Sequence, residues 1–269
     1  MKKPLLPRRT AVNIMLYIGV IAMGLVTYYD VREEANDEPS VAVFDVDAVH
    51  QLTLHRPGYS TIVLQRKADS WYLTEPIDVE ADDTRVEALL RLDSLDPSAA
   101  YSVTELDLTE LGLGIPQATL NFGDEEQSIQ ILLGGLGPNQ TRRYIQIGQW
   151  VWLVDDIYLP LVQGGLRAFA RLALLPMGTT LSAVRGPNGT TLTDSPTLDA
   201  WHALQAAGID PAHVQIMQTT PTVELTTQTG ETLVYQLLTG DNEFALVPQG
   251  HNYALLVTHA QAQQLGVAQ

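Results

Sequence analysis

Residues Ala11 to Tyr29, AVNIMLYIGVIAMGLVTYY, are nineteen positions in which only Asn13 and Thr27 are clearly polar outside the closing tyrosines. As a helix rising about 1.5 Å per residue the run reaches roughly 28 Å, close to the hydrocarbon thickness of a lipid bilayer. It reads as a single transmembrane helix. Lys2, Lys3, Arg8 and Arg9 precede it, and Asp30, Glu33, Glu34, Asp37 and Glu38 follow it. That asymmetry holds the N-terminus in the cytoplasm and sets everything from Asp30 onward outside, at the inner membrane of a cell with a periplasm. A cleaved secretory signal is the competing reading, with Ala22-Met23-Gly24 as its small-x-small triplet. The run continues past that triplet through Leu25 and Val26 and closes on Tyr28-Tyr29, which suit the interfacial belt, so an anchor is preferred. The sequence has no cysteine, which removes both disulfides and a lipid acceptor at a mature N-terminus.

The remainder is long enough for one large or two small cores. All 31 acidic residues but only 11 of the 15 basic ones fall after Tyr29, a formal charge of −20. Nucleic acid is excluded as a partner on that balance, because phosphate backbones need a basic surface. Anionic headgroups are disfavoured for the same reason. No Lys or Arg follows Arg185.

Residues 1–10 form a basic tail, 11–29 the span, and 30–40 an acidic linker ending at Pro39. From Val41 the pattern turns globular. Alternation over Leu52 and Leu54, Thr61 to Gln65 and Trp71 to Thr74 predicts an antiparallel meander, and Thr84 with Glu87 predicts a capping box opening a helix to Leu95. Leu106 to Leu111 reads as a helical turn stopped by Gly112. Strands are expected at Ala118–Phe122, Gln127–Leu133, Arg143–Ile147 and Trp150–Val154, with Gly134-Gly135-Leu136-Gly137 a hairpin loop and Asp155 capping a short helix to Leu161. Four further strands follow, at Thr222–Thr227, Glu231–Leu238, Glu243–Val247 and Tyr253–Val257, and then the helix-like HAQAQQL. Gly135 and Gly240 are 105 apart, Gly148 and Gly250 102, Asp155 and Thr258 103. Such an offset predicts an internal repeat. A helix capped by Asp194-Ser195-Pro196 and ended by Gly208 corresponds to the Thr84 helix. The expected fold is α+β: a transmembrane helix, then two related, mostly antiparallel sheet-plus-helix halves, 41–165 and 178–269, joined by 166–177.

Trp71-Tyr72-Leu73-Thr74-Glu75-Pro76, Asp83-Thr84-Arg85-Val86, Leu111-Gly112-Leu113 with Pro116, the Tyr144 strand after a glycine-rich turn, and Phe169 to Leu175 together resemble the bacterial domain-of-unknown-function family 4340. The resemblance implies one N-terminal span, genes often beside those of gliding-motility-type ABC transporters, and an accessory role with no catalytic residues to carry over.

Chemistry has little to stand on. No serine sits in a Gly-x-Ser-x-Gly elbow and the histidines lack ligand spacing, so no catalytic, cofactor or metal residue is assigned. Asp78 to Asp83 alternates oxygens as a calcium loop begins, but Asp83 and Leu89 stand where Gly and Glu are required; helix-capping acids are the simpler reading. Trp150 and Trp152 share a strand face with Val154, which suits either a strand covered on both sides or an aromatic partner face. Leu166, Phe169, Leu172 and Ala173 form an apolar stripe with Arg167 and Arg171 opposite, a linker helix packed between the halves rather than one lying on a membrane. The candidate partner surface is Trp150, Trp152, Tyr144, Phe169, Arg167 and Arg171. The expected function is a non-enzymatic, membrane-anchored accessory or scaffold subunit that docks on other membrane protein subunits, chiefly an ABC-transporter-type export assembly. Alternatives are a glycan- or lipid-binding module and an extracytoplasmic hydrolase using acids such as Asp78, Asp82 and Asp155.

Overall fold

The computed structural model describes residues 48–91, 98–123, 128–211, 221–240 and 243–268. The expected span at 11–29 and the linker at 30–40 lie outside them, and among the described residues no helix is long and apolar enough to cross a membrane.

Alternating apolar residues build two mainly antiparallel sheets. The first begins with β1 (Gln51–His55), β2 (Ile62–Lys67), β3 (Ser70–Glu75) and β4 (Val79–Glu80). It continues through β5 (Ala99–Ser102), β6 (Ala118–Gly123), β7 (Ser128–Leu136), β8 (Arg142–Ile147) and β9 (Trp150–Asp155). Their order across the sheet is β4-β3-β2-β1-β6-β7-β8-β9-β5. The second sheet is built from β10 (Leu181–Arg185), β11 (Thr191–Leu192), β12 (Gly208–Pro211), β13 (Thr222–Thr227), β14 (Thr232–Thr239), β15 (Glu243–Pro248) and β16 (Tyr253–Thr258). Its order is β11-β10-β13-β14-β15-β16-β12. Leu52, Leu64, Leu73, Leu120 and Leu133 are wholly buried in the first core, as are Val223, Leu225 and Leu246 in the second. Most strands bury alternate side chains on one face, whereas β9, β15 and β16 are covered on both, with Val151 and Trp152, or Leu246 and Val247, buried as neighbours.

Few helices cover them. Helix α1 (Asp83–Leu90) buries Val86, Leu89 and Leu90 and packs on β3. Its cap is Asp82, two residues before the expected Thr84 box, and the Asp82 carboxylate accepts the Arg85 N–H at 3.2 Å. α2 (Tyr158–Val162) has no side-chain cap, because Asp155 instead meets Arg142 at 3.2 Å. Arg85 closes its far end, donating to the carbonyls of Pro160 and Leu161, each at 2.9 Å, and of Gln163 at 3.1 Å. α3 (Leu166–Phe169) touches both α1 and β12. In the second sheet, α4 (Ser195–Ala203) is capped by Asp194, whose bonds from Thr197 hold its carboxyl below the usual range. It ends at Ala203, and Gly208 opens β12 rather than stopping the helix. α5 (His259–Gln264) carries a full capping box between Thr258 and Gln261.

Two expectations are corrected near the glycine-rich stretch. Gly134 and Gly135 lie within β7, not in a hairpin, because the Gly135 N–H donates to the Leu111 carbonyl at 2.7 Å and the chain there must pass against bare backbone. A Cβ on Gly134 would stand 2.7 Å from that carbonyl oxygen. Leu106 to Leu111 forms turns after a short 3-10 helix at Val103–Glu105 instead of a helical turn of its own.

A cleft between the two sheets

The stretch from Phe169 to Leu175 stitches the sheets together and frames a cleft. Asp82 N–H donates to the Phe169 carbonyl and Arg171 N–H to the Glu80 carbonyl, both at 2.8 Å, so the stretch pairs with the β4 edge. Three residues on, Ala206 N–H donates to the Leu172 carbonyl at 2.7 Å, and Ala173 pairs with Gln205. The Asp78 N–H reaches the Asn252 side chain in the β15–β16 turn at 3.4 Å, a direct bridge between the sheets.

The space left has a volume of about 460 Å³. Its first wall carries Lys67, Tyr72, Asp78 and Glu80, its floor Arg171 and Leu174, and its second wall Tyr235, His251 and Tyr253. Ligand sites commonly fall in the range of roughly 300–1,000 Å³ and mix apolar walls with a few polar groups. Charges here come in pairs. Lys67 Nζ lies 3.5 Å from Asp78 and 4.7 Å above the Tyr72 ring. Arg171 Nη1 donates to Glu80 Oε2 in a close contact.

Burial dominates the tyrosines. The Tyr253 hydroxyl is pushed up to about 12, first by burial and then by the negative charges of Glu80 and Asp78. Burial likewise pushes Tyr235 well above the ordinary tyrosine range, and its hydroxyl donates to the Leu174 carbonyl at 2.7 Å. The His251 ring lies 5.3 Å from that of Tyr253. Such a site can hold a ligand by ring contact and by hydrogen bonds to planar charged groups.

Of the six residues expected to face a partner, Arg171 alone lies in this cleft. Trp152 is 3 % exposed and Phe169 wholly buried, which corrects their placement on a surface. Trp152 faces Ile145 within the sheet, and Phe169 is enclosed where α3 meets α1 and β12. Trp150 and Tyr144 are half-buried, and Arg167 is exposed. The acids of the calcium-like stretch are occupied: Asp82 caps α1, Asp83 accepts the Trp71 N–H at 2.9 Å, and Asp78 pairs with Lys67. Among the described residues no group of three or more His, Cys, Asp or Glu is placed to hold a metal ion. Lys67, Tyr235, His251 and Tyr253 carry no site signal in the sequence, and Glu80 enters there only within the calcium-like stretch Asp78 to Asp83. Their signal is tertiary, since they come from strands and one turn far apart in the chain.

A family model described as Domain of unknown function (DUF4340) matches residues 71–206, from β3 to just short of β12. No curated protein and no solved structure matches the chain.

Proposed function

Since the chain belongs to the family described as Domain of unknown function (DUF4340), a description that assigns no activity, we propose a role from its own residues. The protein is a membrane-tethered, extracytoplasmic accessory subunit that works by binding, and the inter-sheet cleft is where it grips another membrane protein subunit. The partner class is an ABC-transporter-type export assembly. The observation that carries binding over hydrolysis is the pairing in the cleft: Asp78 is held by Lys67 and Glu80 by Arg171, so each carboxylate already faces a cation. The sheet borders do not favour strand addition, because β4 and β11 have two residues each and β5 and β12 four. Short edges blunt such pairing.

Tethering rests on the apolar run 11–29 and on the charges around it. Protease added to intact spheroplasts should digest peptides containing Trp71 and Trp201. The two halves are further proposed to be related by duplication. The order β2-β1-β6-β7-β8-β9-β5 and the order β11-β10-β13-β14-β15-β16-β12 support this, since each member has a counterpart in chain sequence. Ala118 and Thr222, which open corresponding strands, are 104 residues apart.

Affinity purification of the full chain in mild detergent, followed by mass spectrometry, tests docking. Multi-span subunits should co-purify, and a Tyr72→Ala/His251→Ala variant should lose them. A second reading, a glycan-binding module, is favoured by the ring-lined walls at Tyr72, His251 and Tyr253. A monodisperse monomer retaining bound glycan would replace docking with it.

A further inference from the structure

Among the described residues five ion pairs tie Lys67, Arg142, Arg143, Arg171 and Arg185 to carboxylates. Arg56, Arg66, Arg85 and Arg167 are in none of these five, and of these four Arg56 alone is buried. It follows β1 directly, is 9 % exposed, and among the described residues its guanidinium meets no carboxylate and no carbonyl oxygen. Its one recorded partner is the Tyr59 ring, 4.2 Å from the guanidinium carbon, and that ring is itself 64 % exposed. Burying an uncompensated charge is costly, and a buried donor set left without acceptors calls for a reason. In a domain of formal charge −20 acids outnumber bases nearly threefold, yet among the described residues no carboxylate pairs with it.

Arg85 and Arg167 belong to the same neighbourhood. Arg56 Nη2 points at the loop between α2 and α3, where it would stand 3.6 Å from a Cβ on Gly165. Arg85 reaches the same loop from α1 through the Gln163 carbonyl, and Arg167 lies two residues past Gly165 with an exposed side chain. Of the acids that precede Arg85 at the start of α1, Asp82 is spent on the helix cap and Asp83 on the Trp71 N–H. Arg85 itself is engaged with the carbonyls of Pro160, Leu161 and Gln163 and holds the loop in place. We propose that Arg56, with Arg167 beside the 163–165 loop that Arg85 positions, binds a compact phosphate-type oxyanion.

A guanidinium presents its N–H groups as a rigid fork that matches phosphate oxygens, and Tyr59 stacked on Arg56 fixes the orientation of that fork. Charge limits the ligand's size. The domain's net negative charge repels an extended polyanion, whereas one phosphate group feels mainly the local cations. The shared chemistry is therefore a single phosphate, free as a soluble ester or borne on one phospholipid headgroup. This site lies away from the inter-sheet cleft and does not depend on its assignment.

The test uses the full chain in mild detergent. Inorganic phosphate, titrated at matched ionic strength against chloride, should raise the thermal unfolding midpoint of the wild type and bind by calorimetry. Arg56→Gln should weaken that binding by tenfold or more. Arg167→Gln, at an exposed position, should weaken it several-fold without altering the midpoint in chloride, which keeps the test valid if Arg56→Gln folds poorly. A parallel arm compares nanodiscs of phosphatidylglycerol with phosphatidylcholine: preferential protection by the former with no response to free phosphate assigns the headgroup source. No response to either phosphate source would overturn the proposal. So would phosphate binding unchanged in both variants, or tighter capture of an acidic peptide such as oligoglutamate than of phosphate.

Discussion

The Tyr235 hydroxyl donates to the Leu174 carbonyl across 2.7 Å, and both residues are buried. A strand of the second sheet thereby satisfies a backbone acceptor in the stretch that joins the two sheets. Tyr235→Phe removes the donor while keeping the ring, which lies 5.8 Å from that of Trp201. A buried carbonyl left without its partner costs about 1–3 kcal/mol. Urea unfolding of the variant should show a loss in that range at unchanged slope. A loss under a few tenths would mean that the carbonyl finds another donor.

The glycines of β7 make a second prediction. A Cβ on Gly134 would meet both the Leu111 oxygen at 2.7 Å and the Leu113 Cδ2 at 2.9 Å. Gly134→Ala should therefore cost about 1–3 kcal/mol through displacement of the 111–113 backbone. Gly148 is the control, because at φ +56 it has nothing within 4 Å of an added Cβ and Gly148→Ala meets only the left-handed strain of about 1–2 kcal/mol. Equal losses, with protease protection at Leu111 unchanged in Gly134→Ala, would contradict the close approach.

This contrast also marks what the sequence carries. Period-two alternation located β1, β3, β6, β8, β13 and β14 because each buries alternate side chains against one core, while β15 and β16 read as apolar runs covered on both faces. Gly134-Gly135 misread as a loop because a backbone packed against another backbone leaves the same glycine signature as a turn. The buried network of Arg143 had no local signal. Its guanidinium meets Asp156 at 2.6 and 3.0 Å and Gln117 at 3.1 Å, partners supplied by other elements. The cleft residues escaped for the same reason, and Phe169 and Trp152, legible as an apolar stripe and an aromatic pair, proved to be core.

Alkaline pH probes Tyr253. Its folded hydroxyl titrates at about 12 against an ordinary 10.0, so folding favours the protonated form. The corresponding stability is complete below pH 10 and is lost as pH rises from 10 to 12, with a limiting slope of about 1.4 kcal/mol per pH unit. Tyr235 is shifted in the same direction and adds to the fall. The difference in urea midpoint between wild type and Tyr253→Phe should be flat to about pH 9 and shrink above 10. A difference that stays constant to pH 12 would show that the hydroxyl ionises as freely folded as unfolded.

Glu80 and Arg171 form the contact that joins the cleft floor to the β4 edge, and their side chains are 28 and 30 % exposed. Partial exposure discounts the ion pair, but the Arg171 N–H also donates to the Glu80 carbonyl at 2.8 Å, which fixes the two side chains in register. Alanine at either position removes only the side-chain contact. A double-mutant cycle should return a coupling of about 0.5–1 kcal/mol, above that of a freely solvated pair. If the cleft is the docking site, each single variant should also lower co-purification of membrane partners more than its stability loss accounts for, because the surviving Glu80 or Arg171 is left as an unpaired charge facing the partner. Coupling near zero together with undiminished capture would separate this ion pair from both the joining of the sheets and the recognition surface.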